Sequence, residues 1–279
     1  MDKLFEILHE DPDLLVINKP AGLACHPTKG DAYSSLISRV RLHLGASAHP
    51  HLVNRLDRET SGVTVVAKSN EAARELRRLW EARAVGKEYL AIVHGHVRDD
   101  HGVIDAPLGK DGRSRVAIKD CVRPDGAPSR TEFWVERRFA HSPSPHPMGR
   151  GEGEGTAFEV QSVPLDVGSS VRNPRSTLNS QLSTFSVLRV TPLTGRKHQI
   201  RIHLAQVGHA IVGDKIYGGD EDLYLALVEG RLTDEQRARL MLPRHALHAS
   251  AVRLAWRGQR LEFRADPEPW FVEFARVAT

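Results

Sequence analysis

Apolar and polar positions alternate along this chain with two periods. Leu4 to His9 and Leu14 to Asn18 read as strands around the turn Glu10-Asp-Pro-Asp13, with Pro12 suited to the second turn position. Ser34 to Leu44 carries apolar residues at 36, 37, 40 and 44, near helical spacing, with Ser34 or Ser35 as N-cap. Val63 to Ala67 is β-branched at four of five positions and predicts a buried strand, entered through a Thr60-Ser61-Gly62 turn. Glu71 to Arg83 predicts a helix capped by Asn70. Its inward stripe is Ala72, Leu76, Leu79 and Trp80, and Arg74, Arg77, Arg78 and Glu81 lie opposite. Beyond Gly86, Glu88 to Val97 reads as a strand.

The pattern breaks from Ala140 to about Gln181. His-Ser-Pro-Ser-Pro-His-Pro and Gly-Arg-Gly-Glu-Gly-Glu-Gly are polar, low-complexity tracts that cannot bury much apolar surface, so a mobile insertion is expected, with a short strand near Phe158 to Val160. Phe185 to Val190 resumes as a strand. Thr194 or Gly195 turns into a helix from about Lys197 to Val207, with Gly208 past its end. Ala249 to Trp256 and Arg260 to Arg264 form a hairpin across Arg257-Gly-Gln259, and Pro269 to Val277 is a short amphipathic helix. Strands outnumber helices and cluster in hairpins. The expectation is one α+β domain over 1–279 with a mainly antiparallel sheet, flanking helices, and the 140–181 insertion within it. There is no regular βαβ alternation and no glycine-rich nucleotide loop.

Composition narrows the class only modestly. The 279 residues are 40% hydrophobic and 27% charged, as in an ordinary globular protein. A net charge of +4 and a pI near 9.2 permit an RNA partner without requiring one. Cys25 and Cys121 are too far apart in sequence to suggest a disulfide framework or zinc cluster, and suit a reducing cytosol. No apolar run approaches a membrane span, and Met1-Asp-Lys-Leu-Phe-Glu lacks a signal-peptide core, so a cytoplasmic location and a monomer are expected.

Chemistry concentrates in three runs. Leu52-Val-Asn-Arg-Leu-Asp-Arg-Glu-Thr-Ser-Gly-Val-Thr-Val-Val-Ala-Lys-Ser69 sets Asp57 in a loop ahead of a buried strand, where a reactive carboxylate is easily held rigid. An isolated Arg-Leu-Asp would read as a solvated loop. Arg55 lies two before Asp57 and in extended backbone points to the same side. Leu193 to Gly218 places Ile200, Leu204 and Val207 on one helix face and His198 beside Arg201 on another. Arg196, Lys197 and His198 sit at that helix start, where phosphate would be attracted; a solvated basic face is the plainer meaning. Lys87-Glu-Tyr-Leu-Ala91 puts Tyr89 on a strand, ordinarily a packing position. His94-x-His96 and His245-x-x-His248, the latter read as helical, lack further ligands at convincing spacing, so no metal is expected.

Together with Leu14-Leu-Val-Ile-Asn-Lys-Pro-Ala-Gly-Leu-Ala-Cys-His-Pro27 and Arg244-His-Ala-Leu-His-Ala249, these runs closely resemble the RluA-type RNA pseudouridine synthases, over about Phe5–Phe139 and Phe185–Phe271. The family usually has His where this chain has Asn54, and no separate S4-type RNA-binding domain is expected ahead of Leu4. The resemblance implies Asp57 as the catalytic residue, paired with Arg201. It implies Tyr89 stacking on the target uracil, Ile200 walling the pocket, and RNA contacts from Arg55, Arg196, Lys197 and His198. The partner implied is structured RNA, ribosomal or transfer. The isomerisation adds no atoms, so no cofactor is implied. Two competing classes are a non-catalytic RNA-binding or remodelling protein that keeps the fold, and a glycoside hydrolase, which normally wants two carboxylates where this loop offers only Glu59 beside Asp57.

Overall fold

The structure is a computed structural model that describes residues 5–27, 34–45, 47–141 and 183–276. The expected insertion, apart from its first two residues, and the strand near Phe158 to Val160 lie outside the described residues.

In chain order the elements are β1 (Glu6–Glu10), β2 (Leu14–Lys19), α1 (Leu36–Leu44), β3 (His51–Leu52), β4 (Ser61–Ala67), α2 (Asn70–Glu81), β5 (Gly86–His94), β6 (His101–Asp105), β7 (Leu108–Lys110), β8 (Asp120–Val122) and β9 (Arg130–His141). They continue with β10 (Ser183–Pro192), α3 (Gln199–Gln206), α4 (Asp222–Val228), α5 (Asp234–Leu240), β11 (Leu247–Trp256), β12 (Gln259–Arg264) and α6 (Pro269–Arg276). Ten strands form one sheet in the order β1-β2-β4-β11-β5-β10-β9-β6, with β12 added to β11 and β3 to β4. The fold is therefore α+β. All its pairings are antiparallel except β4 with β11, which run parallel over His248↔Ser61 and Ala249↔Gly62. That seam joins the strands drawn from the start of the chain to those drawn from its middle. None of the described helices is long and apolar enough to cross a membrane.

Packing explains where the elements sit. β4 is buried along its whole length, and Val63 and Val65 share a core cluster with Ala72, Ala73 and Leu76 of α2. A second cluster gathers β5, β10, α3 and α6 around Ile92, Leu188, Leu204 and Phe274. Gly62 is required at the seam: its φ is +111°, and a Cβ there would lie 2.2 Å from the Ala249 carbonyl oxygen.

Several boundaries differ from the sequence reading. Ser61 and Gly62 already belong to β4, because the seam with β11 extends the strand backward; the turn ahead of it closes from Thr60 N to Asp57 O at 3.1 Å. Ser69, not Asn70, caps α2, its hydroxyl accepting from Ala72 N; both residues have capping side chains, and Ser69 is the one in extended backbone. α2 ends at Glu81, and Arg83 stands beyond it in the left-handed region at φ 57°. Arg83 N donates to Trp80 O and Ala84 N to Leu79 O, the two closing bonds of a Schellman motif. A left-handed non-glycine residue costs about 1–2 kcal/mol. β5 stops at His94 because Gly95 turns away at φ 84°. His248 lies on β11, so the pair with His245 is not helical. The β11–β12 hairpin and the short final helix fall where expected, with Arg257 and Gly258 both at positive φ as a two-residue primed turn demands.

Candidate active site

Asp57 stands on the loop between β3 and β4, and the loop is fastened on every side. Asn54 accepts from Val65 N at 2.7 Å and donates to Val63 O at 3.2 Å, pinning the loop to the first half of β4. The buried Cys25 thiol accepts from Leu56 N and donates to Leu56 O. Lys19 is fully buried, and its ammonium donates to the carbonyls of Pro20, Leu23 and Arg58. Burial pulls its pKa down to about 8. Gly22 N adds a second donor to Arg58 O.

The far side of the loop is tied to the segment leading into β11. Glu59 accepts from Lys215 Nζ at 2.9 Å and from His245 N at 3.2 Å. Thr60 Oγ1 is hydrogen-bonded to His245 Nε2 at 2.7 Å, and Ser61 Oγ to His248 Nδ1 at 2.9 Å. Burial, and next the Arg201 charge, push His245 down to about 3, so it is neutral across the physiological range.

Held this way, the Asp57 carboxylate meets Arg201 from α3, Arg201 Nη1 donating to its Oδ2 at 2.8 Å. The guanidinium is itself oriented by Asp214, to which it donates from Nε at 2.7 Å and from Nη2 at 2.8 Å. Asp214 Oδ1 also accepts from Ile216 N and Tyr217 N, so its orientation is fixed by backbone. The Tyr217 ring lies 5.1 Å from the Arg201 guanidinium carbon. Burial alone would raise the Asp57 carboxyl. The Arg201 charge outweighs burial and holds its pKa below the usual 3.8. Asp214 is likewise held well below its usual range, burial being overcome by Arg201. Asp57 is thus an anion at neutral pH with one oxygen engaged by a cation and a side chain still 28% exposed.

Two more of the expected residues, Tyr89 and His198, approach Asp57 here, and Ile200 is buried beside Arg201 in α3. Burial, then the negative charge of Asp57, push the Tyr89 phenol up, so its hydroxyl stays protonated. Tyr89 packs against the core cluster that contains the buried Ile200. His198 Nε2 lies 3.8 Å from Asp57 Oδ1, and its Nδ1 is hydrogen-bonded to the Tyr217 hydroxyl at 2.9 Å. His198 precedes α3 in left-handed backbone, φ 55°, and this is what turns its ring inward rather than toward solvent. The helix starts two residues later than the spacing predicted because the Gln199 side chain, accepting from Arg196 N and Thr194 Oγ1, closes a separate turn first. Arg55, Arg196 and Lys197 are exposed. Lys197 pairs with Asp120 at 2.8 Å, and Arg196 Nε reaches the Pro128 carbonyl at 3.4 Å.

Sequence reading missed Asp214, Tyr217 and the clamps from Lys19, Cys25 and His245. For Asp214 a signal was present: it stands in Gly213-Asp-Lys-Ile-Tyr-Gly218, and Gly213 takes φ 80° where a Cβ would strike the Arg244 carbonyl oxygen at 2.4 Å. Among the described residues, no group of three or more His, Cys, Asp or Glu side chains could hold a metal ion.

Comparison with known proteins identifies the family. A family model described as RNA pseudouridylate synthase matches residues 13–206. The chain is 31% identical over 269 residues to the dual-specificity RNA pseudouridine synthase RluA of Pasteurella multocida, covering 95% of this chain and 94% of that one. It is 32% identical over 254 residues to the ribosomal large subunit pseudouridine synthase D of Nitrosomonas europaea, covering 89% of this chain. The chain spans 57% of that relative and 55% of an RNA pseudouridine synthase of Aquifex aeolicus. Among solved structures, human RNA pseudouridylate synthase domain containing 4 superposes with a TM-score of 0.62 at 25% identity, over 96% of this chain and 90% of that one. The matched segment contains Asp57, Tyr89 and Arg201, and on these grounds the chain belongs to the RNA pseudouridylate synthase family.

Proposed function

We propose that this protein is an RNA pseudouridine synthase that isomerises specific uridines in ribosomal or transfer RNA, working in the cytoplasm. The observation that carries the reading is an ionised, rigidly held Asp57 carboxylate, paired with Arg201 and standing beside Tyr89. The isomerisation breaks the bond from ribose C1′ to uracil N1, joins C1′ to C5, and moves the C5 proton to N1. Composition is conserved, so the reaction calls for no redox or group-transfer cofactor. It does call for a group that can act on the detached base or the sugar without losing it, and Asp57 is the nucleophile or base of that exchange. Arg201 keeps it ionised and aimed, and Asp214 keeps Arg201 in place.

Enzymes that act on a base must take it out of the stack. The neutral Tyr89 phenol offers the extruded uracil a flat face with a polar tip, and Ile200 backs it. Arg55, exposed on the loop itself, and the exposed Arg196 are the cations for the RNA phosphates. Mapping pseudouridine across the RNA of a strain lacking the gene, then restoring wild type or Asp57→Asn, tests the assignment. Sites that vanish on deletion should return with wild type and stay absent with Asp57→Asn. Return of those sites with a folded Asp57→Asn protein would remove Asp57 from the chemistry.

A further inference from the structure

A cleft of about 330 Å³ lies beside the active site, where β5 begins and β10 ends. Trp80, Arg83, Lys87, Pro192 and Leu193 line it. Its volume falls at the small end of ligand sites, about 300–1,000 Å³. Lys87 and Tyr89 are two apart on β5, so they share one face of the sheet, about 6–7 Å apart along the strand. Lys87 Nζ donates to Thr194 O at 3.1 Å, in the turn that leads to His198 and Arg201. The cleft is therefore continuous with the face that carries the site.

Its charge is unbalanced. Lys87 is half-buried, and the charged neighbour that perturbs it most is Arg83, an exposed second cation. Among the described residues no carboxylate forms an ion pair with either. Two converging cations at the mouth of a cleft invite an anion. The backbone of Arg83 gives an independent indication. It occupies the left-handed position of the Schellman motif, φ 57°, where glycine is the relaxed choice. An arginine at such a position carries a backbone strain that glycine would not, and strain of this kind clusters at functional sites. The half-buried Trp80 indole supplies the flat apolar wall on which any base can stack.

Resting on the reading of this chain as an RNA-modifying enzyme, we propose that the cleft is a subsite for a nucleotide flanking the target uridine. Its base lies against Trp80 and its phosphate between Arg83 and Lys87.

The test exploits the strain at residue 83. Arg83→Gly relieves the backbone, so the melting temperature should hold or rise. Its affinity for fluorescein-labelled decauridylate should nevertheless fall about fivefold or more, and the log–log salt slope should shrink by about 0.7, the value of one single-strand phosphate contact. Trp80→Leu should weaken the same probe with the slope unchanged, because stacking releases no counterions. Arg264→Gln, on an exposed arginine of β12, should change neither. With total RNA from a strain lacking the gene as substrate, Arg83→Gly should raise the half-saturating concentration and keep the plateau rate. Wild-type affinity and slope in folded Arg83→Gly would overturn the subsite, as would an equal loss in Arg264→Gln. If wild type forms no pseudouridine in that RNA, yet Arg83→Gly and Trp80→Leu weaken decauridylate in these two different ways, the catalytic reading fails and the subsite stands.

Discussion

Asp57 and Asp214 share one guanidinium but differ in what they lose with it. Asp57→Asn removes the reactive charge while Arg201 keeps both bonds to Asp214, so a folded, RNA-binding, inactive protein is expected. Asp214→Asn does the reverse. Asp57 survives, but its partner loses one of the two oxygens that anchor it as an anion. A charge-assisted hydrogen bond is worth about 1.5–3 kcal/mol, so turnover should fall about 10–100-fold at unchanged RNA affinity. Single-turnover kinetics would check it, and an unchanged rate would show that Arg201 needs no anchor. Acid should act on both carboxylates. Each has its folded pKa below the usual 3.8, so each binds fewer protons folded than unfolded. Their contribution to stability is complete above about pH 5 and declines as pH falls through the folded values. Urea midpoints measured from pH 6 to pH 3 should therefore drop less steeply in Asp57→Asn than in wild type.

At the scale of elements, the Asp57 loop owes its shape to contacts that local sequence does not announce. The Asn54 side chain replaces two backbone partners along β4, one donor and one acceptor. Asn54→Ala should cost about 1–3 kcal/mol and lower activity by loosening Asp57. Asn54→Ala with wild-type stability and turnover would mean that Lys19 and Cys25 alone hold the loop. The residues proposed for the site were legible as candidates where they share a short string: Arg55 with Asp57, Ile200 with Arg201, Tyr89 in its strand. Ends of elements were less so. Ser69 and Asn70 are equally good caps by type, and only backbone geometry chooses between them. A run such as Glu71 to Arg83 does not reveal that its last residues close a left-handed turn. The short strands β6 to β8 carry weak period-two patterning and went unread, as did the 12-residue β9, whose alternation of buried Thr131 and Phe133 breaks at the charged Glu136-Arg-Arg138.

Across the whole molecule, the mild net charge of +4 leaves RNA affinity to local clusters. Binding should weaken with salt, and Arg55→Ala should reduce the slope by about 0.7, one contact's worth. Lys197→Ala should change it less, because Lys197 is already neutralised by Asp120. Tyr89→Phe should leave it alone. Equal changes in all three would dissolve the division into phosphate-reading and base-stacking residues. The antiparallel hairpins were legible from sequence, but the parallel seam of β4 on β11 was not, since its partners are 187 residues apart. That separation has a consequence in time. The ribosome delivers the loop of Asp57 well before its seating, from His245 to Ala265. Until then β5 has no β11 beside it, Ser61 has no imidazole, and Glu59 has no neighbour at His245. Such distant pairings form slowly and late. A growing chain that has passed β4 but not β11 therefore carries an Asp57 loop that is not yet seated.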